Sequence, residues 1–264
     1  MNEWELLFTE ILGCLRYELY LKNNLKFKPY QRDFLFDALK RRMDHEPLQY
    51  ILGKTEFMGL EFKVNKDVFI PRPETEHLVE HTLRLISSLA KDREVLRILD
   101  LGTGSGCIAI SIAKYVSYNN IVIDATDISQ EALHIAKLNA QCNQVKINFL
   151  QTDLFLGLKF GLYDIIVSNP PYVPSSQIGR FSKEIFYEPV IALDGGRRGL
   201  RFFYRIIRDA HLYLKKDGYL IMEIGYGQLN SIKKIFRNIR NLKMVEVIKD
   251  YTNIDRVIIA KNYG

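Results

Sequence analysis

The spacing of apolar residues near the start of the chain is that of helices. One amphipathic helix is predicted from apolar residues three or four positions apart, namely Trp4, Leu7, Ile11, Leu15 and Leu19. Two more helices are predicted to begin at Pro29 and Pro47, because proline suits a first helical turn, and Gly53 suits the end of the shorter one. A hairpin is predicted around Gly59. Residues 1–70 are therefore predicted to form a small helical domain with a connecting hairpin.

Beyond this region the pattern changes to short apolar runs that alternate with helical stretches. Seven strands are predicted, over residues 97–101, 121–126, 146–150, 164–168, 218–223, 243–249 and 256–261. Alternation of strands with helices predicts an α/β fold with a doubly wound, mostly parallel sheet. The last two strands are joined by a short turn, so they are predicted to pair antiparallel, with one reversed strand near the sheet edge. This second, larger domain is assigned to residues 71–264.

Composition excludes several classes of protein. The 264 residues are 47% hydrophobic and 26% charged, which is typical of a globular chain and not of a fibrous or disordered one. No apolar run approaches the roughly 18 residues of a membrane helix, and the acidic N-terminus is unlike a secretory signal. A cytoplasmic location without a membrane partner is expected. Cysteines and histidines lack metal-ligand spacing, so no metal is expected. The absence of GxSxG and of GxxxxGKS or GxxxxGKT removes support for triad hydrolases and P-loop enzymes.

A glycine-rich segment follows the first strand of the predicted sheet and opens a helix. It contains Asp100, Gly102, Gly104 and Gly106, with the spacing GxGxG where dinucleotide-binding folds have GxGxxG. Glycine lets the backbone turn tightly and approach a ligand closely. A carboxylate at the strand end would repel a diphosphate but suits a ligand with an amine. S-adenosylmethionine carries an α-amino group and a sulfonium and no phosphate, so Asp100 and this loop predict that cofactor.

Two aspartates compete for the ribose hydroxyls of such a ligand. Asp127 ends the second strand of the sheet, at roughly the 20-residue spacing after the glycines at which an acidic residue binds ribose. Asp124 lies inside the apolar run and not at its carboxyl end, so Asp127 is preferred. Asp153 follows the third strand, where a side chain could reach the adenine amine, with an ordinary surface turn as the alternative.

The segment Asn169-Pro170-Pro171-Tyr172 ends the fourth strand and carries the most chemical information. Two successive prolines fix the backbone and remove two N–H donors. The proline carbonyls and the Asn169 side-chain oxygen remain as acceptors, which is what a site for an NH₂ group needs. Acceptors on both hydrogens of an amide or exocyclic amine would orient it and stabilise positive charge that develops on nitrogen. Tyr172 can stack on a planar group.

The glycine loop and the acceptor segment together resemble those of class I, S-adenosylmethionine-dependent amino-methyltransferases. Three further stretches, at residues 47–53, 70–76 and 187–193, are similar to those of the release factor glutamine methyltransferase family, called HemK or PrmC. The resemblance runs in order over nearly the whole chain. It implies a Rossmann-like, seven-stranded methyltransferase domain at residues 71–264 and a substrate-recognition role for residues 1–70.

The resemblance also implies an activity and a set of contacts. The activity is methyl transfer to the side-chain amide nitrogen (N5) of the glutamine in the GGQ motif of class 1 peptide chain release factors, with S-adenosylhomocysteine as product. The implied cofactor contacts are Phe69, Pro73, Thr75, Gly102, Thr103, Gly104, Ser105, Gly106, Asp127 and Asn169. Leu154, after Asp153, departs from members that carry an aromatic residue against the adenine. The implied contacts of the glutamine amide are Asn169, Pro170, Pro171 and Tyr172, and the implied catalytic residues among them are Asn169, Pro170 and Tyr172.

Two other functions stay open. A nucleic-acid amino-methyltransferase would use the same segment on adenine N6 or guanine N2, but it would need a base-flipping pocket and a basic groove. The net charge of +6 is modest and the basic residues are scattered, so no direct nucleic-acid substrate is expected. A non-catalytic module that binds a nucleotide or a partner would not require the acceptor segment.

Overall fold

A computed structural model describes residues 2–21, 26–91, 93–180 and 182–264 of the chain. Its helices are α1 (Glu3–Leu12), α2 (Glu18–Leu21), α3 (Pro29–Met43), α4 (Leu48–Leu52), α5 (Glu76–Leu89), α6 (Cys107–Tyr115), α7 (Gln130–Cys142), α8 (Val190–Leu193), α9 (Arg201–Tyr213) and α10 (Leu229–Phe236). Its strands are β1 (Lys54–Phe57), β2 (Leu60–Lys63), β3 (Leu96–Leu101), β4 (Ile121–Asp127), β5 (Asn148–Gln151), β6 (Tyr163–Ser168), β7 (Leu214–Glu223), β8 (Leu242–Lys249) and β9 (Asp255–Asn262).

Seven of these strands form one sheet in the order β5-β4-β3-β6-β7-β9-β8. The first five strands in that order pair in parallel. Strand β9 runs antiparallel to both β7 and β8. The predicted doubly wound α/β fold, with one reversed strand beside the edge, is confirmed. The winding direction changes between β3 and β6, and ligands of such folds bind at the carboxyl ends of the strands at this switch point.

Two apolar cores cover the two faces of the sheet. Successive residues of a strand point to opposite faces. Ile98 and Ile165 accordingly pack with residues of α5 and α6, whereas Leu99 and Ile166 pack with residues of α9 and α10. Every residue of β6 is buried. A central strand that is covered on both faces explains the continuous apolar run that predicted it.

The first N-terminal helix differs from its prediction. The prediction of a single helix from Trp4 to Leu19 is wrong, because α1 ends at Leu12. Gly13 adopts a left-handed φ of 62° that ends the helix. Leu15 therefore lies between α1 and α2 with 61% of its surface exposed, and Trp4 is 49% exposed. The regular spacing of apolar residues continued past a glycine at which the helix could end.

The predicted hairpin forms between β1 and β2 and packs against the sheet domain. Phe57 and Phe62 are buried in the same core as Leu78. The Lys63 backbone donates to Asn139 Oδ1 at 2.7 Å and accepts from Asn139 Nδ2 at 3.0 Å. The N-terminal helices share a separate small core, made of Leu7, Ile11, Ala38, Leu48 and Ile51. The contacts associate the hairpin with the sheet, and the division of the chain at residue 70 stays a prediction.

None of the helices in the described ranges is both long enough and apolar enough to cross a bilayer.

Candidate active site

A cavity of about 580 Å³ opens at the carboxyl ends of β3, β4 and β6. It lies at the switch point of the sheet, where the fold favours ligand binding. Most of the predicted site residues line it, and these are Phe69, Thr75, Gly102, Thr103, Gly104, Ser105, Asp127, Asp153, Leu154, Asn169, Pro170, Pro171 and Tyr172. Three predicted residues do not line the cavity, and these are Pro73, Asp100 and Gly106.

The glycine loop presents bare backbone to this cavity. Gly102 and Gly104 have left-handed φ values of 74° and 54°, and a Cβ at either position would meet nothing within 4 Å. Side chains at these positions would enter open space on the ligand side, so glycine keeps the backbone accessible. Gly106 has another role, because its Cβ would lie 2.8 Å from Ile110 Cδ1 and 3.2 Å from Ala136 Cβ. It allows α6 and α7 to pack closely.

Asp100 supports the loop from inside the protein. It is fully buried, and its Oδ2 accepts a hydrogen bond of 2.7 Å from Thr103 Oγ1. Burial raises the pKa of Asp100 to about 7. Among the described residues, its Oδ1 has no partner. Its position at a strand end predicted that this carboxylate contacts the ligand, whereas in the structure it lies under the loop and does not line the cavity. Pro73 is likewise indirect, because it begins the 3-10 turn Pro73–Thr75 that brings Thr75 to the cavity.

The structure separates the two competing aspartates. Asp127 lines the cavity, with Oδ2 accepting from Gly104 N at 2.8 Å and Oδ1 accepting from Ser129 N at 3.0 Å. Burial raises the pKa of Asp127 above its ordinary value. Asp124 instead lies within the sheet, and both its oxygens have protein partners, Asn148 Nδ2 at 2.8 Å and the Tyr163 hydroxyl at 3.0 Å. Of the two aspartates, Asp127 is thus the one that lines the cavity.

The adenine end of the predicted site contains a residue that no sequence motif marks. Arg205, on α9, lines the cavity and donates to Asp153 Oδ2 at 2.8 Å. Leu154 lines the cavity from a left-handed backbone with φ 54°, a conformation that is uncommon for a residue with a Cβ. No local sequence pattern connects Arg205 with Asp153, because the contact depends on how α9 packs.

The acceptor segment keeps its acceptors free. Asn169 Nδ2 donates to Thr75 Oγ1 at 3.1 Å, which leaves Asn169 Oδ1 on the other side of the amide. In the chain as described, neither Asn169 Oδ1 nor the Pro170 carbonyl accepts a hydrogen bond from the protein. The Tyr172 carbonyl accepts from Gln228 Nε2 at 2.9 Å, which fixes the end of the segment.

A buried carboxylate that is not among the predicted site residues lies behind the acceptor segment. Glu223 ends β7, is 1% exposed, and accepts from Thr75 Oγ1 at 2.7 Å and from the Tyr172 hydroxyl at 3.1 Å. Burial raises the pKa of Glu223 to about 7, and burial together with Glu223 raises the pKa of Tyr172. A carboxylate at the carboxyl end of an apolar strand is the signal that could have marked it.

Two of the stretches that carry the resemblance contact each other directly. Arg72 forms an ion pair with the buried carboxylate of Glu188, which also accepts from Ile70 N at 3.2 Å. The segment before α5 and the segment before α8 are therefore joined beside the cavity. Within the described ranges, no three His, Cys, Asp or Glu side chains are grouped as metal ligands would be.

Comparison with known families agrees with this architecture. Residues 75–196 match the family model "Methyltransferase small domain", and residues 2–53 match the model "PrmC N-terminal domain". Solved structures with the same fold include a methyltransferase from Pyrococcus furiosus, with a TM-score of 0.55 and 17% identity over 89% of this chain and 98% of that one. A ribosomal protein L11 methylase from Lactobacillus delbrueckii subsp. bulgaricus has a TM-score of 0.50 and 22% identity over 73% of this chain and 81% of that one.

Curated relatives are more similar in sequence. A protein named release factor glutamine methyltransferase from Thermodesulfovibrio yellowstonii is 38% identical over 99% of this chain and 92% of its own length. Proteins of the same name from Coxiella burnetii and Bacillus subtilis are 39% and 41% identical, over 97% and 81% of this chain and 90% and 75% of their own lengths. The chain belongs to the release factor glutamine methyltransferase family.

Proposed function

We propose that this chain transfers a methyl group from S-adenosylmethionine to the side-chain amide nitrogen N5 of the glutamine in the GGQ motif of class 1 peptide chain release factors. The observation that carries the proposal is the pair of free acceptors, Asn169 Oδ1 and the Pro170 carbonyl, on the wall of the cavity. Two acceptors without a donor match an NH₂ group. Membership of the family supports the choice of a glutamine amide over a base amine.

The residues around the cavity fit S-adenosylmethionine. The bare backbone at Gly102 and Gly104 leaves room for a ligand to lie against it, and Asp127 supplies a carboxylate for the ribose hydroxyls. Phe69 and Thr75 would border the methionine end, and Asp153 with Leu154 the adenine. When bound, this cofactor supplies an electrophilic methyl group on a sulfonium. The proposed chemistry needs no metal.

The protein's part in the reaction is to hold and polarise the amide. An amide nitrogen is a poor nucleophile, because its lone pair is delocalised into the carbonyl. Asn169 Oδ1 and the Pro170 carbonyl would each accept one N–H, which orients the nitrogen and stabilises the positive charge it gains. Tyr172 would pack on the planar amide. The new nitrogen–carbon bond would form as the bond between the methyl group and the sulfonium sulfur breaks. A strong general base is unnecessary, because the N–H becomes acidic only as the new bond forms, and its proton can then pass to water at the open cavity. Alignment of the two reactants contributes much of the rate.

The proposed partner is a class 1 release factor, with no nucleic-acid substrate and a cytoplasmic setting. One tritium-transfer experiment tests this choice. Tritiated S-adenosylmethionine is offered with release factor, DNA and ribosomal RNA in parallel, with the Asn169→Ala variant as a blank. Label in the release factor that is lost when the GGQ glutamine is replaced with alanine is the expected result. Label in a nucleic acid alone, or in none of the three, would reject the proposal.

Substitution of Asp127 is expected to act on cofactor affinity. Asp127→Ala removes hydrogen bonds to a charged group, each worth about 1.5–3 kcal/mol, so binding of S-adenosylmethionine should weaken by about tenfold or more. Isothermal calorimetry measures this directly. Asp124→Ala is the matched comparison, because Asp124 is the competing aspartate and its partners lie within the sheet. If the Asp124 variant loses affinity and the Asp127 variant keeps it, the assignment of the ribose ligand is reversed.

The N-terminal helices are proposed to recognise the release factor. They hold neither the glycine loop nor the acceptor segment, and a single glutamine offers little surface for selection. Helix α3 exposes two large apolar side chains seven positions apart, Phe36 and Met43, which are 69% and 80% exposed. These two side chains would contact the protein substrate and not the cofactor.

Removal of this apolar surface is expected to weaken binding of the release factor only. Truncation of an interface anchor costs more than about 1 kcal/mol, so the double variant Phe36→Ala/Met43→Ala should raise KM for release factor by at least about fivefold. The affinity for S-adenosylmethionine should be unchanged. Val245→Ala, an exposed apolar truncation on the edge strand β8, serves as the control. An unchanged KM would move recognition away from this face of α3.

A further inference from the structure

Four side chains beside the cavity form one hydrogen-bonded network, in the order Asn169, Thr75, Glu223 and Tyr172. Asn169 Nδ2 donates to Thr75 Oγ1 at 3.1 Å, and the Thr75 hydroxyl donates to Glu223 Oε2 at 2.7 Å. The Tyr172 hydroxyl donates to Glu223 Oε1 at 3.1 Å. Thr75 and Glu223 are 2% and 1% exposed, so bulk water is excluded from the link between them. One end of this network is the side-chain amide of Asn169, which faces the substrate in the proposed reaction.

Which group donates and which accepts in each bond of this network follows from the protons available. An ionised carboxylate only accepts, and a threonine hydroxyl has one proton to donate. Because the Thr75 hydroxyl donates that proton to Glu223, its oxygen can only accept from Asn169. The Asn169 amide must then turn its NH₂ toward Thr75 and its Oδ1 toward the cavity. An asparagine amide has nearly the same shape in both orientations, so packing alone would not make this choice.

We propose that Glu223, acting through Thr75, is a positioning residue that fixes which end of the Asn169 amide faces the substrate. The inference rests on the proposed function, because orientation matters only if the reacting group is an NH₂ that needs acceptors. Burial raises the pKa of Glu223 to about 7, against the lowering effect of its bonds from Thr75 and Tyr172 and of the Arg256 charge. Glu74 raises it further. The measurements therefore belong well above this pH, where the carboxylate is ionised.

The substitution Glu223→Gln would reverse the donor and acceptor roles at Thr75 and Asn169 without changing the shape of the side chain at position 223. The new amide would keep its oxygen toward the Tyr172 hydroxyl and place its NH₂ toward Thr75. Thr75 would then accept from position 223 and give its own proton to Asn169 Oδ1. The Asn169 NH₂ would turn into the cavity, so that a donor would face the substrate amide where an acceptor is required.

Steady-state methylation of release factor distinguishes reversal from simple damage. Loss of one transition-state partner costs about a hundredfold, so Glu223→Gln should lower kcat by about a hundredfold, with the affinity for S-adenosylmethionine little changed. Adding Thr75→Val to Glu223→Gln should restore part of that kcat, because no hydroxyl remains to turn the amide. Two independent structural defects would instead add.

Single substitutions at position 75 complete the set. Thr75→Val alone should lower kcat, and Thr75→Ser, which keeps the hydroxyl, should recover most of the loss. Thr82→Val is the matched control, because Thr82 is a buried threonine on α5 whose hydroxyl, within the described part of the chain, bonds only to the Leu78 carbonyl, at 2.7 Å. It should retain the wild-type kcat.

A second measurement does not require methyl transfer. Amide resonances of asparagine side chains in the ¹⁵N-labelled protein are compared, and those of Asn169 are identified by their loss in Asn169→Ala. Exchange of the Asn169 NH₂ protons with water should be slow in the wild type and at least about tenfold faster in Glu223→Gln, where the NH₂ faces the cavity.

The outcomes separate this inference from the proposed function. If the wild type labels no release factor, the proposed function fails, and the exchange rates still decide how Asn169 is oriented. A Glu223→Gln variant with unchanged kcat or unchanged exchange would overturn the inference. It would also be overturned if Thr75→Val only weakened cofactor binding, or if the double variant were slower than Glu223→Gln alone.

Discussion

Replacement of Asn169 with alanine is expected to lower kcat for release factor methylation about a hundredfold, the usual cost of roughly 3 kcal/mol for one lost transition-state hydrogen-bond partner. The residue follows directly on β6 and offers Oδ1 to the cavity, while its Nδ2 is bound to Thr75. Alanine would leave the Pro170 carbonyl as the remaining acceptor for the amide. The fold should persist, because Asn169 belongs to neither of the two apolar cores.

Single-turnover rates at saturating cofactor test this expectation, together with calorimetry to show that S-adenosylmethionine still binds. Asn119→Ala is a suitable control, because Asn119 is an exposed residue just before β4, at the opposite edge of the sheet from the cavity. Turnover within a fewfold of wild type would remove Asn169 from the reacting site. Loss of cofactor binding with an unchanged rate at saturation would make it a cofactor ligand only.

The elements that the sequence predicted well are those determined by local chemistry. Helix α7 spans Gln130–Cys142 and so fills the helical stretch predicted between the strands at residues 121–126 and 146–150. Ser129 caps its first turn by accepting from Ala132 N at 3.0 Å. Strand β5 was predicted over residues 146–150 and spans Asn148–Gln151, so its start was predicted two residues too early. It is a short edge strand with no buried residue, so its apolar pattern defines its start poorly.

Much of the site was also predictable, because parallel strands end at a common edge. The glycine loop and the acceptor segment each follow a strand, Asp127 ends one, and all three contribute to the lining of one cavity. The roles of Glu223 and Arg205 could not be predicted, because their partners, Thr75 and Asp153, lie 148 and 52 positions away in the chain. Sheet register supplies the missing information for Glu223, since β6 and β7 pair Ser168 with Met222 and so bring the next residues, Asn169 and Glu223, together.

The backbone of the acceptor segment is held in place from behind by a glycine and a glutamine. Gln228 Nε2 donates to the Tyr172 carbonyl at 2.9 Å and to the Gly199 carbonyl at 3.1 Å, and its Oε1 accepts from Gly225 N at 2.9 Å. A Cβ on Gly199 would lie 2.1 Å from the Tyr172 carbonyl oxygen and 2.7 Å from Gln228 Nε2. Backbone cannot give way as a flexible side chain can, so any residue but glycine must displace the segment.

Gly199→Ala is therefore expected to lower kcat about a hundredfold, since a misplacement of about 1 Å can cost that much, even though position 199 touches neither substrate nor cofactor in the proposed reaction. Single-turnover kinetics and thermal unfolding measure its two effects. Gly161→Ala is the matched control, because Gly161 has a similar left-handed φ of 60°, against 67° at Gly199, and its Cβ would meet nothing within 4 Å. Both variants should lose about 1–2 kcal/mol of stability from the left-handed backbone. Gly199→Ala should lose further stability from the contact with the Tyr172 carbonyl, and it alone should lose turnover. Equal turnover in the two would mean that the acceptor segment tolerates displacement, and the rigid geometry assigned to it would be wrong.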